Sequence, residues 1–211
     1  MAKKCKDGIC MSYLFAIAAG YLLGCSNMAL YICKLKNIDI RKSGSNNLGA
    51  ANSTIVLGWR YGILVGIHDI GKAIVAVLLT KLLFPGSPYA GAVAGVACVL
   101  GHIFPFPLKF KGGKGFASFL GLTVALNRKF ALVVLALVVV ITLVTDYLVA
   151  GTLTTIVIVP AYLGFSAHNA ILPLVILVAT AVIFYKHREN IPRMLNGTEI
   201  GLRSTLKKKT K

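Results

Sequence analysis

Acidic side chains are scarce in this chain. Six Asp and Glu stand against 23 Lys and Arg, a formal net charge of +17, and charged residues of all kinds make up only 14% of the 211 residues. With 57% hydrophobic residues and a mean hydropathy of +0.80, this shortage of charge excludes a soluble domain of such length and indicates an integral membrane protein. The excess of base does not point to nucleic acid. The Lys and Arg fall in short clusters between apolar runs, where they suit cytoplasmic loops facing an anionic leaflet or an anionic substrate. The five cysteines (Cys5, Cys10, Cys25, Cys33, Cys98) are odd in number and lack Cys-x-x-Cys spacing, so they read as small core residues rather than disulfides or metal ligands. No internal repeat is visible, which weighs against an inverted-repeat transporter. The apolar run from Cys10 to Cys33 exceeds a signal-peptide core of roughly 7–15 residues and is expected to be a retained helix.

What the chain has in quantity is apolar sequence. Seven segments are expected to form an all-α, polytopic membrane protein folded as a single domain over residues 1–211, with a basic tail from about 203: Cys10–Cys33, Ile55–Phe84, Tyr89–Phe104, Gly115–Leu126, Phe130–Thr145, Leu148–Phe165 and Ala170–Tyr185. The fourth is only about 18 Å long as a helix and cannot cross the hydrocarbon core unaided. Lys34, Lys36, Arg41, Lys42, Lys109, Lys111, Lys114, Lys186, Arg188, Arg193, Arg203, Lys207, Lys208, Lys209 and Lys211 would share one side, against Lys3, Lys4, Lys6, Arg128 and Lys129 on the other. That bias predicts the N-terminus outside and the C-terminus inside. Gly20/Gly24, Gly58/Gly62/Gly66 and Gly91/Gly95 have the spacing of close helix contacts, expected within the monomer.

Four polar constellations interrupt this pattern. The first, Arg41 to Asn52, offers small residues and amides (Ser43, Ser45, Asn47, Gly49, Asn52) that could donate to a phosphate, or could simply form a polar turn. The second is Asp69 with Lys72, and His68 beside them, inside an apolar helix; it is either a structural ion pair or the brace or lining of a site. The third runs from Gly101 to Ser118: His102, a proline-stiffened turn, then Lys111-Gly112-Gly113-Lys114-Gly115 leading into an apolar segment. Glycines permit close backbone approach, a helix N-terminus offers N–H groups, and the lysines add charge, which together suit a phosphate. A Walker loop is excluded, because Gly115 rather than Ser or Thr follows Lys114 and no strand pattern precedes it. His102 could equally cap or brace the turn. The fourth, His187 to Glu199, places His187 and Asn190 three residues apart with Arg188 and Arg193 as anion-binding forks, or serves as a juxtamembrane basic anchor.

Three of these runs, Ser43-Gly-Ser-x-Asn-x-Gly-Ala-x-Asn52, Gly101-His102-x-x-Pro105 through Phe110-Lys-Gly-Gly-Lys-Gly-x-Ala117, and His187-Arg-x-Asn-Ile-x-Arg193, together with Asp69-x-x-Lys72, closely resemble the bacterial acylphosphate-dependent glycerol-3-phosphate acyltransferase family. The resemblance implies a seven-helix enzyme of the bacterial cytoplasmic membrane with its site at the cytoplasmic face. It would move a fatty acyl group from acyl phosphate to the 1-hydroxyl of glycerol 3-phosphate, giving lysophosphatidic acid and phosphate in phospholipid synthesis. No metal or other cofactor is implied; the partners are the two substrates, the bilayer and, transiently, the soluble enzyme that makes acyl phosphate. On this resemblance Lys114, His187 and Asn190 would be catalytic. Ser43, Ser45, Asn47, Gly49, Asn52, Lys111, Gly112, Gly113, Gly115, Arg188 and Arg193 would bind the phosphorylated substrates, with Asp69, Lys72 and His102 in support. The chain departs from the family at Ile55, where an arginine is expected and Arg60 is the nearest substitute, at Asn46, Leu48 and Ala51, and at Tyr147–Gly151, which lacks the family's serines. The alternatives to be separated are a non-catalytic relative and a transporter of a phosphorylated metabolite or lipid.

Overall fold

A computed structural model of the chain describes residues 2–167 and 169–207, and every described element is helical. The tail residues Lys208, Lys209 and Lys211, and the side chains of Lys3, Lys4, Cys5, Lys6 and Lys207, lie outside the described residues. Five stretches are long and apolar enough to cross a membrane: Ile9–Lys36, Trp59–Leu83, Ala90–Leu108, Arg128–Thr145 and Leu148–Ser166; Phe116–Leu126 and Ile171–His187 are shorter apolar helices. The chain divides into two compact units, Met1–Leu126 and Asn127–Lys211.

The first unit comprises α1 (Ala2–Cys25), α2 (Met28–Lys36), α3 (Ala50–Val56), α4 (Trp59–Leu83), α5 (Ala90–Ile103) and α6 (Phe116–Leu126). Its seam is the pairing of α1 with α5. Ser12 meets Ser87 through their hydroxyls (2.7 Å), while the α-carbons of Gly20 and Gly24 lie so close to the carbonyls of Ala94 and Cys98 that a methyl at either would overlap backbone. The partners advance together along both helices, so α1 and α5 run parallel, and α4 runs antiparallel to them and packs against both. The glycine stripes therefore pack within the chain, as small residues do where no hydrophobic driving force separates helix from lipid. The parallel pairing also puts the loops after α1 and after α5 at the same end of this unit.

Besides the start of α1 at Ala2 rather than Cys10, two interior boundaries differ from the sequence expectation. The first apolar segment is broken at Ser26–Asn27: Asn27 leaves the helix with φ −138° and caps α2, its Oδ1 accepting from Leu30 N at 2.9 Å. The second does not begin at Ile55. Gly58, at φ +112°, turns the chain between α3 and α4, a dihedral that a side chain would resist, so this glycine serves a bend and not a helix contact. Gly62 then packs on Thr54 and on the carbonyl of Ala50 of α3.

The second unit comprises α7 (Arg128–Thr145), α8 (Leu148–Ala167), α9 (Ile171–His187), α10 (Asn190–Leu195) and α11 (Leu202–Lys207). The rings of Phe130 and Tyr162 stack at 3.7 Å, and Gly151 lies against Val138, which sets α7 and α8 antiparallel. At the α7–α8 turn Asp146, at φ +71°, accepts from Leu202 N through its carbonyl (2.8 Å) and from Arg203 N through Oδ1 (2.7 Å). The chain beyond α9 is thus tied to the same end of this unit as the α7–α8 turn.

Candidate active site

The first polar run folds into a turn bonded to itself. Gly44 (φ +64°) and Asn46 (φ +55°) reverse the chain around buried Asn52, whose amide donates to the carbonyls of Ile40 and Asn47 (both 2.8 Å) and whose Oδ1 accepts from Ser45 N (2.7 Å). Asn52 is therefore committed to the turn. Asn47 is likewise bonded locally, to the carbonyl and Oγ of Ser45 (both 2.9 Å) and to Gly49 N (3.0 Å). Gly49 caps α3, and Ser43 is exposed. Arg41 is engaged by Asp39: its guanidinium donates to that carboxylate through Nε (2.8 Å) and Nη2 (3.0 Å), and these bonds hold the Asp39 carboxyl down at about 2. Arg60, the nearest substitute for the arginine missing at Ile55, is exposed and lies over the Trp59 ring at 5.5 Å.

Asp69, Lys72 and His102 form one buried cluster. Lys72 Nζ lies 2.8 Å from Asp69 Oδ1 and 2.9 Å from His102 Nδ1, and it donates to the carbonyls of Gly24 (3.1 Å) and Ser26 (2.8 Å). His102 Nδ1 is also 3.3 Å from Asp69 Oδ1, and His68 sits at the margin, 3.5 Å from the same oxygen and 3.0 Å from Ser26 Oγ. The carbonyls released by the break after α1 are thus the acceptors of the buried ammonium, which is how a Lys is tolerated at this depth.

The basic glycine loop hangs from the last turn of α5. Gly112 N donates to Ile103 O and Gly113 N to His102 O, both at 3.1 Å. The N–H groups of these two glycines, expected to approach a phosphate closely, are thus spent inside the fold, and the missing side chains are needed for packing, since a Cβ at Gly112 would overlap the His102 carbonyl and one at Gly113 the His102 ring. What the loop retains for an anion is charge and a helix N-terminus. Lys111 is exposed and Lys114 half-buried; Gly115 turns at φ +96° into α6, whose first N–H groups lie outside the intrahelical ladder. Ser118, in that first turn, is fully buried with its Oγ without a hydrogen-bond partner among the described residues.

The first unit joins three of the four constellations. Asn27, at the helix break, donates to Leu48 O of the polar turn (3.2 Å); its neighbour Ser26 accepts from Lys72; and Leu108 of the loop packs on the cluster that contains Leu48. The fourth belongs to the second unit. His187 is the last residue of α9 and buried; its Nδ1 lies 2.8 Å from Ile183 O, and because a carbonyl only accepts, Nδ1 carries a proton, which leaves Nε2 as the nitrogen that can accept in the singly protonated ring. Asn190 is buried and donates to Glu199 Oε1 (2.8 Å), while Arg193 Nε donates to Oε2 of the same carboxylate (2.8 Å). Arg188 lies over the Tyr185 ring at 4.0 Å and donates to Tyr185 O. Glu199 is the residue sequence reasoning left without a role. Its signal was its sign, a lone carboxylate downstream of two arginines and an asparagine.

Comparison with known proteins follows these motifs. A family model described as "Glycerol-3-phosphate acyltransferase" matches residues 14–197. The chain is 34% identical over 209 residues to glycerol-3-phosphate acyltransferase 1 of Oceanobacillus iheyensis, covering 94% of this chain and 99% of that one. It is 35% identical over 189 residues to the Aquifex aeolicus glycerol-3-phosphate acyltransferase, covering 90% and 98%. Among solved structures, the glycerol 3-phosphate form of PlsY (YgiH), an integral membrane glycerol 3-phosphate acyltransferase, superposes with a TM-score of 0.85 at 35% identity, over 90% of this chain and 96% of that one. Its lysophosphatidic acid form gives 0.82 at 34% identity, over 92% and 98%. The chain belongs to the glycerol-3-phosphate acyltransferase family.

Proposed function

We infer that this membrane enzyme, a glycerol-3-phosphate acyltransferase, takes its acyl group from acyl phosphate and transfers it to the 1-hydroxyl of glycerol 3-phosphate. The observation that carries the donor assignment is the loop from Lys111 to Ser118: two lysines, a helix N-terminus and a buried hydroxyl beside an apolar helix suit a phosphate that bears a fatty tail. In the reaction the hydroxyl oxygen bonds to the acyl carbon, the bond from that carbon to the phosphate oxygen breaks, inorganic phosphate leaves, and the hydroxyl proton passes to an acceptor. An acyl phosphate is already activated, so positioning and charge stabilisation suffice without a covalent enzyme intermediate.

In this reading Lys114, with Lys111 and Gly115, neutralises the donor phosphate and the developing oxyanion. His187, held as the Nδ1–H tautomer, and Asn190 orient the glycerol hydroxyl, and Nε2 of His187 is the acceptor offered to its proton. Ser43, Ser45 and Gly49 contribute to phosphate binding at the turn that Asn47 and Asn52 shape, and Arg188 and Arg193 supply further positive charge. The relatives' names carry the acceptor: solved relatives hold glycerol 3-phosphate or lysophosphatidic acid. The membrane is crossed seven times, with Phe116–Leu126 and Ile171–His187 as the two short spans, the N-terminus outside and the site facing the cytoplasm of a bacterial inner membrane. The parallel pairing of α1 with α5 supports this reading, because it keeps the basic loops after both helices on one side.

Purified protein mixed with palmitoyl phosphate and glycerol 3-phosphate should release phosphate, and Lys114→Ala should not. Equal release by both would refute the role of the loop, and release without glycerol 3-phosphate would refute the transfer. Counterflow of glycerol 3-phosphate in proteoliposomes without phosphate release would identify a transporter instead.

A further inference from the structure

We propose that His102, clamped by Asp69 and Lys72, is a positioning residue that fixes the height and orientation of Gly112–Gly113 and, through them, of Lys114; the proposal rests on the reading of that loop as the acyl-phosphate site. Gly112 and Gly113 are tied to the carbonyls of Ile103 and His102, so the return arm of the loop is anchored on the residue whose side chain also lies beneath it. A Cβ at Gly113 would meet three atoms of the His102 ring, Nε2, Cε1 and Cδ2, and nothing else nearer. At Gly112 the obstacle is the His102 carbonyl with the Pro105 ring. The ring is thus the floor on which Gly113 rests.

The other edge of that ring is fixed by charge. Nδ1 lies 2.9 Å from Lys72 Nζ and 3.3 Å from Asp69 Oδ1, and Lys72 is in turn bonded to the carbonyls of Gly24 and Ser26. Three helices, α1, α4 and α5, therefore agree on one orientation of the imidazole. Asp69, Lys72 and His102 are all buried, so the cluster bears on the loop through the one member that touches it. Asp69 and Lys72 pair with each other at 2.8 Å within the cluster, whereas the two lysines of the loop itself are Lys111 and Lys114. Binding-loop geometry depends on such supporting contacts, and a displacement of about 1 Å can cost roughly 100-fold in rate.

A size exchange tests this. Gly113→Ala should raise KM for palmitoyl phosphate by about tenfold or more while KM for glycerol 3-phosphate moves less than about twofold. His102→Asn keeps an amide within reach of Asp69 and Lys72 but is too short to occupy the Nε2 position, so the Gly113→Ala/His102→Asn double variant should regain most of the lost affinity. Gly112→Ala should gain nothing from His102→Asn, because its obstacle is backbone. Rescue of neither alanine variant, or of both alike, would overturn the proposal. His102→Ser serves as the second room-making variant should His102→Asn not fold. Hydrogen exchange supplies a readout independent of turnover: the amides of Gly112 and Gly113 should exchange faster in the His102 variant than in the wild type, with the upstream amides of α5 unchanged, and unchanged exchange at both glycines would also overturn it. A wild-type KM for palmitoyl phosphate in Lys114→Ala would remove the acyl-donor reading alone, and the exchange result would then decide the positioning.

Discussion

In the first unit, Asp69, Lys72 and His102 come from two different helices and close on carbonyls of a third, at sequence separations of 30 to 48 residues. In the second, His187, Asn190, Arg193 and Glu199 are gathered within one short stretch, where a carboxylate nine residues beyond Asn190 folds back on its amide. The first arrangement depends on helix packing and the second on a local turn. A perturbation of the bundle should therefore reach Lys114 through the first unit, whereas the His187 segment should fail only when its own residues change.

The largest expected effect is on chemistry. Lys114→Ala should lower kcat/KM with palmitoyl phosphate by roughly 100-fold or more, as loss of a positioned charge at a developing oxyanion does, with little change in thermal stability. Next, Asp69→Ala leaves Lys72 buried without its counter-ion and should destabilise the protein by about 3–5 kcal/mol, read as a fall in unfolding temperature in detergent. Glu199→Ala sharpens the contrast. It should cost only about 1–3 kcal/mol, the penalty of leaving Asn190 without its acceptor, while activity falls more than stability does. A stability loss equal to that of Asp69→Ala would erase the distinction between packed and local support. Gly20→Val should cost roughly 1–3 kcal/mol by forcing α1 from the Ala94 carbonyl, with KM for palmitoyl phosphate shifted more than the behaviour of the His187 segment. The smallest effect belongs to Asp39. Its folded carboxyl sits at about 2, below the ordinary 3.8, so its pairing with Arg41 contributes above that ordinary value and is lost as pH falls through about 2. Because both side chains are partly open to solvent, Asp39→Asn should change stability at neutral pH by less than about 1 kcal/mol.

The apolar helices were legible because their length and hydropathy are properties of contiguous sequence, and α5 through α9 fall within two residues of the expected bounds. The break after α1 was not. The nearest glycine to Ser26 and Asn27, Gly24, serves the contact with α5, and the break is held from afar, by Lys72 on the carbonyls of Gly24 and Ser26 and by Asn27 on Leu48. The glycine loop was legible as a motif but not as a geometry. Sequence shows that Gly112 and Gly113 lack side chains; only the fold shows that their N–H groups are taken by α5 and that His102 fills the space beneath. Between a phosphate donor and a polar turn, the two readings that the sequence leaves open for Asn52, the fold shows the turn, with Asn52 at its centre, a role that depends on Ile40 and Ser45 reaching it from two directions.

The central claim is an acyl transfer that joins two phosphorylated substrates. The most direct measurement is the stoichiometry of products when purified protein turns over palmitoyl phosphate and glycerol 3-phosphate, with phosphate and lysophosphatidic acid quantified in the same reaction. One lysophosphatidic acid acylated at the 1-position for each phosphate released is the predicted result; phosphate released without lysophosphatidic acid, or neither product above the Lys114→Ala background, would contradict it.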